Sequence, residues 1–188
     1  MTRAATALSV LALVLAGCGG DDDGGGGKSA STPAPKSDAA AAKGTGYTLT
    51  PPEGFRDLKD KFEGSAVRVD LAYAEQKGGD FATNIVVIRE QPGGDFELGD
   101  AVDAFTKQAE AQADDNGIGE VEDRELDGVE AKTWAFQRRS DDASKVRQRQ
   151  VVAVKDGAIY TITWSAAADE FEVQEATLDD ILASWRWS

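Results

Sequence analysis

Hydrophobic positions along this chain recur with two periods, and most of the architecture follows from where each period holds. Between Val67 and Ala74, the residues Val67, Val69, Leu71 and Tyr73 alternate with Arg68, Asp70, Ala72 and Ala74. A period of two predicts a strand with one buried face. Ile85-Val86-Val87-Ile88 is an unbroken apolar run, the pattern of a strand covered on both faces in the middle of a sheet. Gly78-Gly79-Asp80 turns the chain before it, and Pro92-Gly93-Gly94 ends it. A short strand is expected at Tyr47-Thr48-Leu49-Thr50, stopped by Pro51-Pro52, with Phe55 plugging the edge of the core. Residues 56–63 fit a helical turn or a loop equally well.

The period changes to 3.6 from about Gly99 to Asp115, where Val102, Phe105 and Ala109 share a face, Asp100 is the expected N-cap and Asn116-Gly117 the stop. Acids cluster before that stop, but Gly117 is misplaced for a calcium loop, so Asp114 and Asp115 read as a solvated helix end. A second helix runs to about Ala183, with Asp169 as cap and Glu170 and Glu172 in its first turn; Phe171, Leu178, Ile181, Leu182 and Trp185 form its inner face.

Two Asp-Gly pairs, at 127–128 and 156–157, predict two-residue hairpin turns, because Asp and Gly accept the positive φ angles such turns need. They join a strand from near Glu120 to Leu126 with Val129–Arg139, and Lys145–Lys155 with Ala158–Ser165. The second turn sets a register: Lys155 with Ala158, Ala153 with Tyr160, Val151 with Ile162, Arg149 with Trp164. One face then carries the stripe Tyr160, Ile162, Trp164, and Arg149 over Trp164 is a candidate cation–π pair. Hairpins with helices set apart between them give an α+β domain, a mainly antiparallel sheet with helices packed on it.

Charge and composition narrow the functions. The chain has 188 residues, a formal net charge of −14, one cysteine and no histidine. The acidic balance argues against nucleic acid as a partner. The missing histidine excludes Ser-His-Asp and Cys-His catalysis and a histidine-ligated zinc site. No cofactor is indicated. A hydrolase working with two carboxylates alone is still open to a chain with 34 acids.

The N-terminus locates the protein. Met1-Thr2-Arg3 is followed by the apolar run Ala4–Val14, too short to span a bilayer, which takes about 20 residues. Leu15-Ala16-Gly17-Cys18 then resembles the lipobox of bacterial lipoproteins. That resemblance implies a signal peptide over residues 1–17, cleavage before Cys18, and a diacylglyceryl thioether on Cys18 that anchors the protein to the extracytoplasmic face of the membrane. Lipidation would consume the single thiol, so the core alone must hold the fold. Residues 18–46 read as the lipidated cysteine and a flexible Gly/Asp/Ala/Pro linker, and residues 47–188 as one globular domain. Within the linker, Gly27-Lys28-Ser29 lacks the earlier glycine of a phosphate loop, and Asp21-Asp22-Asp23 lacks the alternating spacing of a calcium loop.

Four stretches of this domain, taken together, resemble PsbP-like domains of the type found in small actinobacterial lipoproteins: Tyr47–Phe55, Asn84–Val87, Leu126–Ala131 and the ending Ile181-Leu182-Ala183-Ser184-Trp185. The resemblance implies an αβα sandwich used mostly for binding proteins, and in some lipoproteins lipids. It implies no catalytic residues.

Two surfaces are candidates for binding. Arg138, Arg139, Lys145, Arg147 and Arg149 form the only basic island, able to grip a phosphate, an acidic partner or a lipid headgroup, or else simply to guard strand ends. Trp134, Trp164, Trp185 and Trp187 could line a greasy site, although Trp164 and Trp185 fall on faces expected to be core, which leaves Trp187 least explained. The expected function is a non-enzymatic, lipid-anchored module that recruits another envelope protein. The second reading is a carrier of a lipid or other apolar ligand, with Trp164 in its wall and the island at its mouth. Recruitment asks for an exposed apolar patch, and a carrier for a cavity beside Trp164.

Overall fold

The computed structural model describes residues 40–65, 67–76, 81–93, 96–140 and 144–188. The signal peptide, Cys18, most of the linker and the Gly78-Gly79-Asp80 turn lie outside the described residues.

Seven strands form one antiparallel sheet. In chain order they are β3 (Phe55–Asp57), β4 (Val69–Glu75), β5 (Asn84–Glu90), β6 (Glu122–Leu126), β7 (Val129–Arg139), β8 (Lys145–Lys155) and β9 (Ala158–Ala167). Their order across the sheet is β3-β4-β5-β9-β8-β7-β6. A smaller sheet joins β1 (Ala42–Lys43), β2 (Tyr47–Leu49) and β10 (Arg186–Trp187), with β2 in the centre. Helix α1 (Leu98–Gln112) lies on one face of the large sheet and α2 (Phe171–Ser184) on the other.

The expected hairpin chemistry is present. Asp127 and Gly128 have φ of 48° and 80°, Asp156 and Gly157 of 51° and 70°. Two successive positive φ angles match the right-handed twist of the flanking strands. The register of β8 on β9 runs Lys155–Ala158, Ala153–Tyr160, Val151–Ile162, Arg149–Trp164, as the turn requires. The run Ile85–Ile88 lies in β5, buried on both faces beside the central strand β9.

The alternation in β4 misleads. A bulge between Val69 and Leu71 inserts Asp70, so the strand changes face part-way. Val69 packs with Ala72, Ala74, Val86 and Ile88, whereas Leu71 and Tyr73 face α2. Both faces of β4 are therefore buried, not one; the two alanines are small enough to sit under the 3₁₀ turn at Lys59–Phe62 without signalling burial by size. Asp70, released from the ladder, accepts hydrogen bonds from the Thr45 backbone N–H at 2.8 Å and the Thr45 hydroxyl at 2.9 Å. This fastens the segment before β2. The folded part thus begins before residue 47: β1 lies within the stretch expected as linker and pairs Ala42 with Leu49.

The helices start slightly away from their expected caps. Glu97 occupies the N-cap of α1 and Glu170 that of α2, neither with a side-chain capping bond. Asp100 sits instead in the first turn of α1, and Glu172 lies in the first turn of α2 as expected, where the helix dipole favours both. At the far end of α1, the Asn116 backbone N–H and the Gln137 amide donate to the Asp114 carboxylate and hold it below its usual range. The buried face of α2 is Phe171, Leu178, Ile181 and Leu182, and Trp185 caps its end.

Candidate functional site

The α2 face of the sheet is filled by its own side chains. Trp185 is fully buried and stacks on Tyr47, with ring centroids 3.9 Å apart and planes 4° from parallel. Tyr160 meets both rings edge-on. Burial, and then the nearby Asp70 carboxylate, push the Tyr47 hydroxyl well above its ordinary range. Trp187, left unexplained by the sequence, packs edge-on against Trp185 and Tyr160, donates its indole N–H to the Leu126 carbonyl at 2.6 Å, and has Lys155 over its ring at 5.8 Å. It clasps the C-terminus to the β6–β7 turn, with its backbone N–H on Asp127. Trp164 is fully buried and faces Phe55, 5.9 Å between centroids. Phe55 therefore covers the ring expected to wall a ligand cavity. Trp134 is buried on the opposite face, against α1.

The basic island is divided among several tasks. Arg147 pairs with Glu172 and Arg149 with Glu175, both acids on α2. Although Arg149 stands opposite Trp164 as expected, its guanidinium turns to Glu175, and it is Arg147 that lies over an aromatic ring, Phe171, at 4.7 Å. A carboxylate competes successfully with a ring face because the ion pair also makes a charge-assisted hydrogen bond. Arg138 points the other way, into the sheet's α1 face, and is buried. Arg139 and Lys145 pair across the ends of β7 and β8 and remain exposed. The eleven residues of β8 place Lys145 roughly 33 Å from Lys155, at about 3.3 Å per residue, so these two cations stand at the pole opposite the entry of the chain.

The α1 face differs in kind. Two apolar clusters occupy its sides: Phe105, Ala109, Trp134, Phe136, Val152 and Ile159 under α1, and Leu58, Val69, Ala72, Val86 and Ile88 under the 3₁₀ turn. A polar band runs between them along β8 and β9. The Arg138 Nε donates to Gln148 Oε1 at 3.1 Å, and the Gln148 amide donates to Ser165 Oγ at 2.8 Å, a buried chain across three strands. In the next row Val86, Thr163, Gln150 and Trp134 stand side by side. Thr163 lies on the central strand, yet it is partly exposed while its neighbours on β9 at 161, 162, 164 and 165 are buried. Solvent therefore reaches the sheet at Thr163, between α1 and the 3₁₀ turn, which makes this band the floor of a candidate cleft. Beside Thr163 are buried polar atoms without a hydrogen-bond partner among the described residues: Gln150 Oε1, Thr161 Oγ1 and Trp134 Nε1. Native interiors leave few such atoms unpaired. At the end of the row of β5, burial holds the half-buried Glu90 carboxyl above its usual range.

Sequence reasoning did not single out this band. The signal was the alternation Thr161, Thr163, Ser165 against Ile162, Trp164, Ala166, paired by the same hairpin register with Gln148 and Gln150. Among the described residues no group of three or more acids or cysteines is placed to hold a metal ion, and no helix is long and apolar enough to cross a membrane.

An antiparallel sheet sandwiched between helices defines an α+β domain of the αβα type. The chain belongs to the PsbP family: the family model described as PsbP matches residues 41–187. Among solved structures it is similar to the cyanobacterial PsbP (CyanoP) of Synechocystis sp. PCC 6803, with TM-score 0.59 and 19% identity, covering 76% of this chain and 87% of that one. It is also similar to LpqN of Mycobacterium tuberculosis, described as involved in cell envelope biogenesis, with TM-score 0.56 and 17% identity over 79% of this chain and 84% of that one. A third likeness is to PA94 of Pseudomonas aeruginosa, a protein of unknown function and putative regulator, with TM-score 0.51 and 17% identity over 74% and 90%. No curated protein matches the chain significantly.

Proposed function

We propose that this protein is a lipid-anchored, extracytoplasmic binding module that works without catalysis, and that the cleft beside α1 is where it binds. The observation that carries this reading is the solvent-reached Thr163 at the centre of the sheet, flanked by buried polar atoms that the protein itself does not pair. The N-terminal pattern ending in Cys18 supports the anchor, and the envelope role described for LpqN fits the same compartment. Recruitment of another envelope protein becomes the second reading. The large apolar side chains exposed among the described residues are Val121 and Val173, on separate elements, which do not make an apolar docking patch. A carrier built around Trp164 loses its wall to Phe55.

Native mass spectrometry of protein gently extracted from its own membranes, then clipped in the Gly-rich linker, tests the reading. The N-terminal fragment is expected to carry acyl mass on Cys18. The domain is expected to carry a reproducible added mass that Thr163→Trp, which fills the cleft, removes. An unmodified Cys18 contradicts the anchor. A clean domain mass, or one accompanied only by a second protein, contradicts the cleft and puts recruitment ahead.

A further inference from the structure

We infer that the cleft takes a small, uncharged, hydroxyl-rich molecule of the sugar or polyol class, held by the amide and hydroxyl groups of Gln150, Thr161 and Thr163 on its floor. This rests on the cleft being the binding site, and it follows from which atoms meet there.

The unpaired atoms are of both kinds. Gln150 Oε1 accepts, Trp134 Nε1 donates, and the Thr161 hydroxyl does either. The register keeps them together: Trp134 is opposite Gln150, Gln150 is opposite Thr163, and Thr161 is the next residue of β9 on the same face. An alkyl chain laid on this floor would leave them all unpaired, the costliest outcome for a buried polar group. A ligand hydroxyl can accept from the indole and donate to the amide oxygen, so a molecule carrying several hydroxyls satisfies donors and acceptors at once.

Charge points the same way. The row Val86, Thr163, Gln150, Trp134 holds no ionisable group, so it offers no counter-ion to a bound anion or cation. The chain's net charge of −14 disfavours anions further. Gln148 and Ser165, bonded to each other, close one end, where the Arg138 guanidinium is already engaged by Gln148 Oε1 at 3.1 Å.

The test is titration of the full chain carrying Cys18→Ser, which removes the acylation site, with D-glucose, sucrose and myo-inositol, and separately with dodecanoate, read by ligand-observed NMR. At least one of the three hydroxylated probes is expected to bind saturably. Thr163→Trp should abolish that binding, Thr163→Val should weaken it about 2- to 10-fold, as loss of one hydrogen bond does, and Val173→Ser on the outside of α2 should leave it unchanged. Thr163→Val keeps the side-chain shape, so it serves if the tryptophan variant does not fold. Dodecanoate binding that depends on Thr163, without binding of any hydroxylated probe, overturns the ligand class and leaves the cleft standing. Binding of no probe at all overturns both, and leaves the floor to ordered water only.

Discussion

Replacing Trp185 with alanine is expected to lower the thermal midpoint by about 10 °C. Truncating a large buried aromatic costs about 3–5 kcal/mol, and a domain of this size loses roughly 2–4 °C per kcal/mol. The high end applies because Trp185 joins three parts of the chain. Its ring stacks on Tyr47 of β2 and meets Trp187 of β10 at 5.1 Å, and its backbone N–H closes the end of α2 on Leu182. Alanine would leave a cavity between the small sheet and α2. The cross-ties beside it, Thr50 N–H to Ser184 Oγ and Ser188 N–H to the Gly46 carbonyl, together with the Trp187 bonds to Leu126 and Asp127, would then have to hold the small sheet closed. Trp185→Phe, which keeps a ring against Tyr47, should lose less than half as much. A drop of under about 2 °C for the alanine variant would mean the aromatic cluster does not close the fold.

Gln148→Leu is the second large effect, expected to cost about 2–4 kcal/mol with no change of volume large enough to explain it. The amide of Gln148 serves Arg138 on one side and Ser165 on the other, and all three residues are buried. Leucine leaves a guanidinium N–H and a serine hydroxyl facing an apolar neighbour, which is worse than never having had the bond. Arg138 keeps a longer bond, 3.4 Å, to the Arg139 carbonyl. Denaturant unfolding checks this through a lower midpoint at unchanged slope. Adding Ser165→Ala to the leucine variant should restore part of the loss, because the orphaned hydroxyl goes with it. Additive losses would contradict a shared network.

How much of this was readable in advance follows the range of the forces involved. The β8–β9 register was readable to the residue because the Asp156-Gly157 turn sets it locally. The inner face of α2 was readable because helical spacing alone selects Phe171, Leu178, Ile181 and Leu182. The bulge at Asp70 was not, since the alternation of β4 continues through it and only the partner strand shows the slip. β10 is two residues long and pairs with β2 from the other end of the chain, so no local pattern announces it. β1 was hidden in the same way by the linker-like composition around it.

The binding candidates divide along the same line. Arginines on β8 look like an island in the sequence because their partners, Glu172 and Glu175, are contributed by a helix more than twenty residues later. Tryptophans look like a ligand wall until Phe55 and Tyr47 are seen to cover them. Thr163 looks like an ordinary outward threonine in a strand. Its meaning depends on where α1 stops covering the sheet, which no local pattern encodes.

The central claim is that solvent and small molecules reach the floor of the sheet at Thr163. It is tested most directly by thiol labelling, since Cys18 is the only cysteine in the chain and Cys18→Ser leaves none. In that background Thr163→Cys should react with a small maleimide at a rate well above that of Ile162→Cys, whose side chain is buried on the other face. Myo-inositol or whichever probe binds should slow it. Equal inertness of the two thiols would mean that α1 and the 3₁₀ turn close over the sheet, and the cleft would have to be given up.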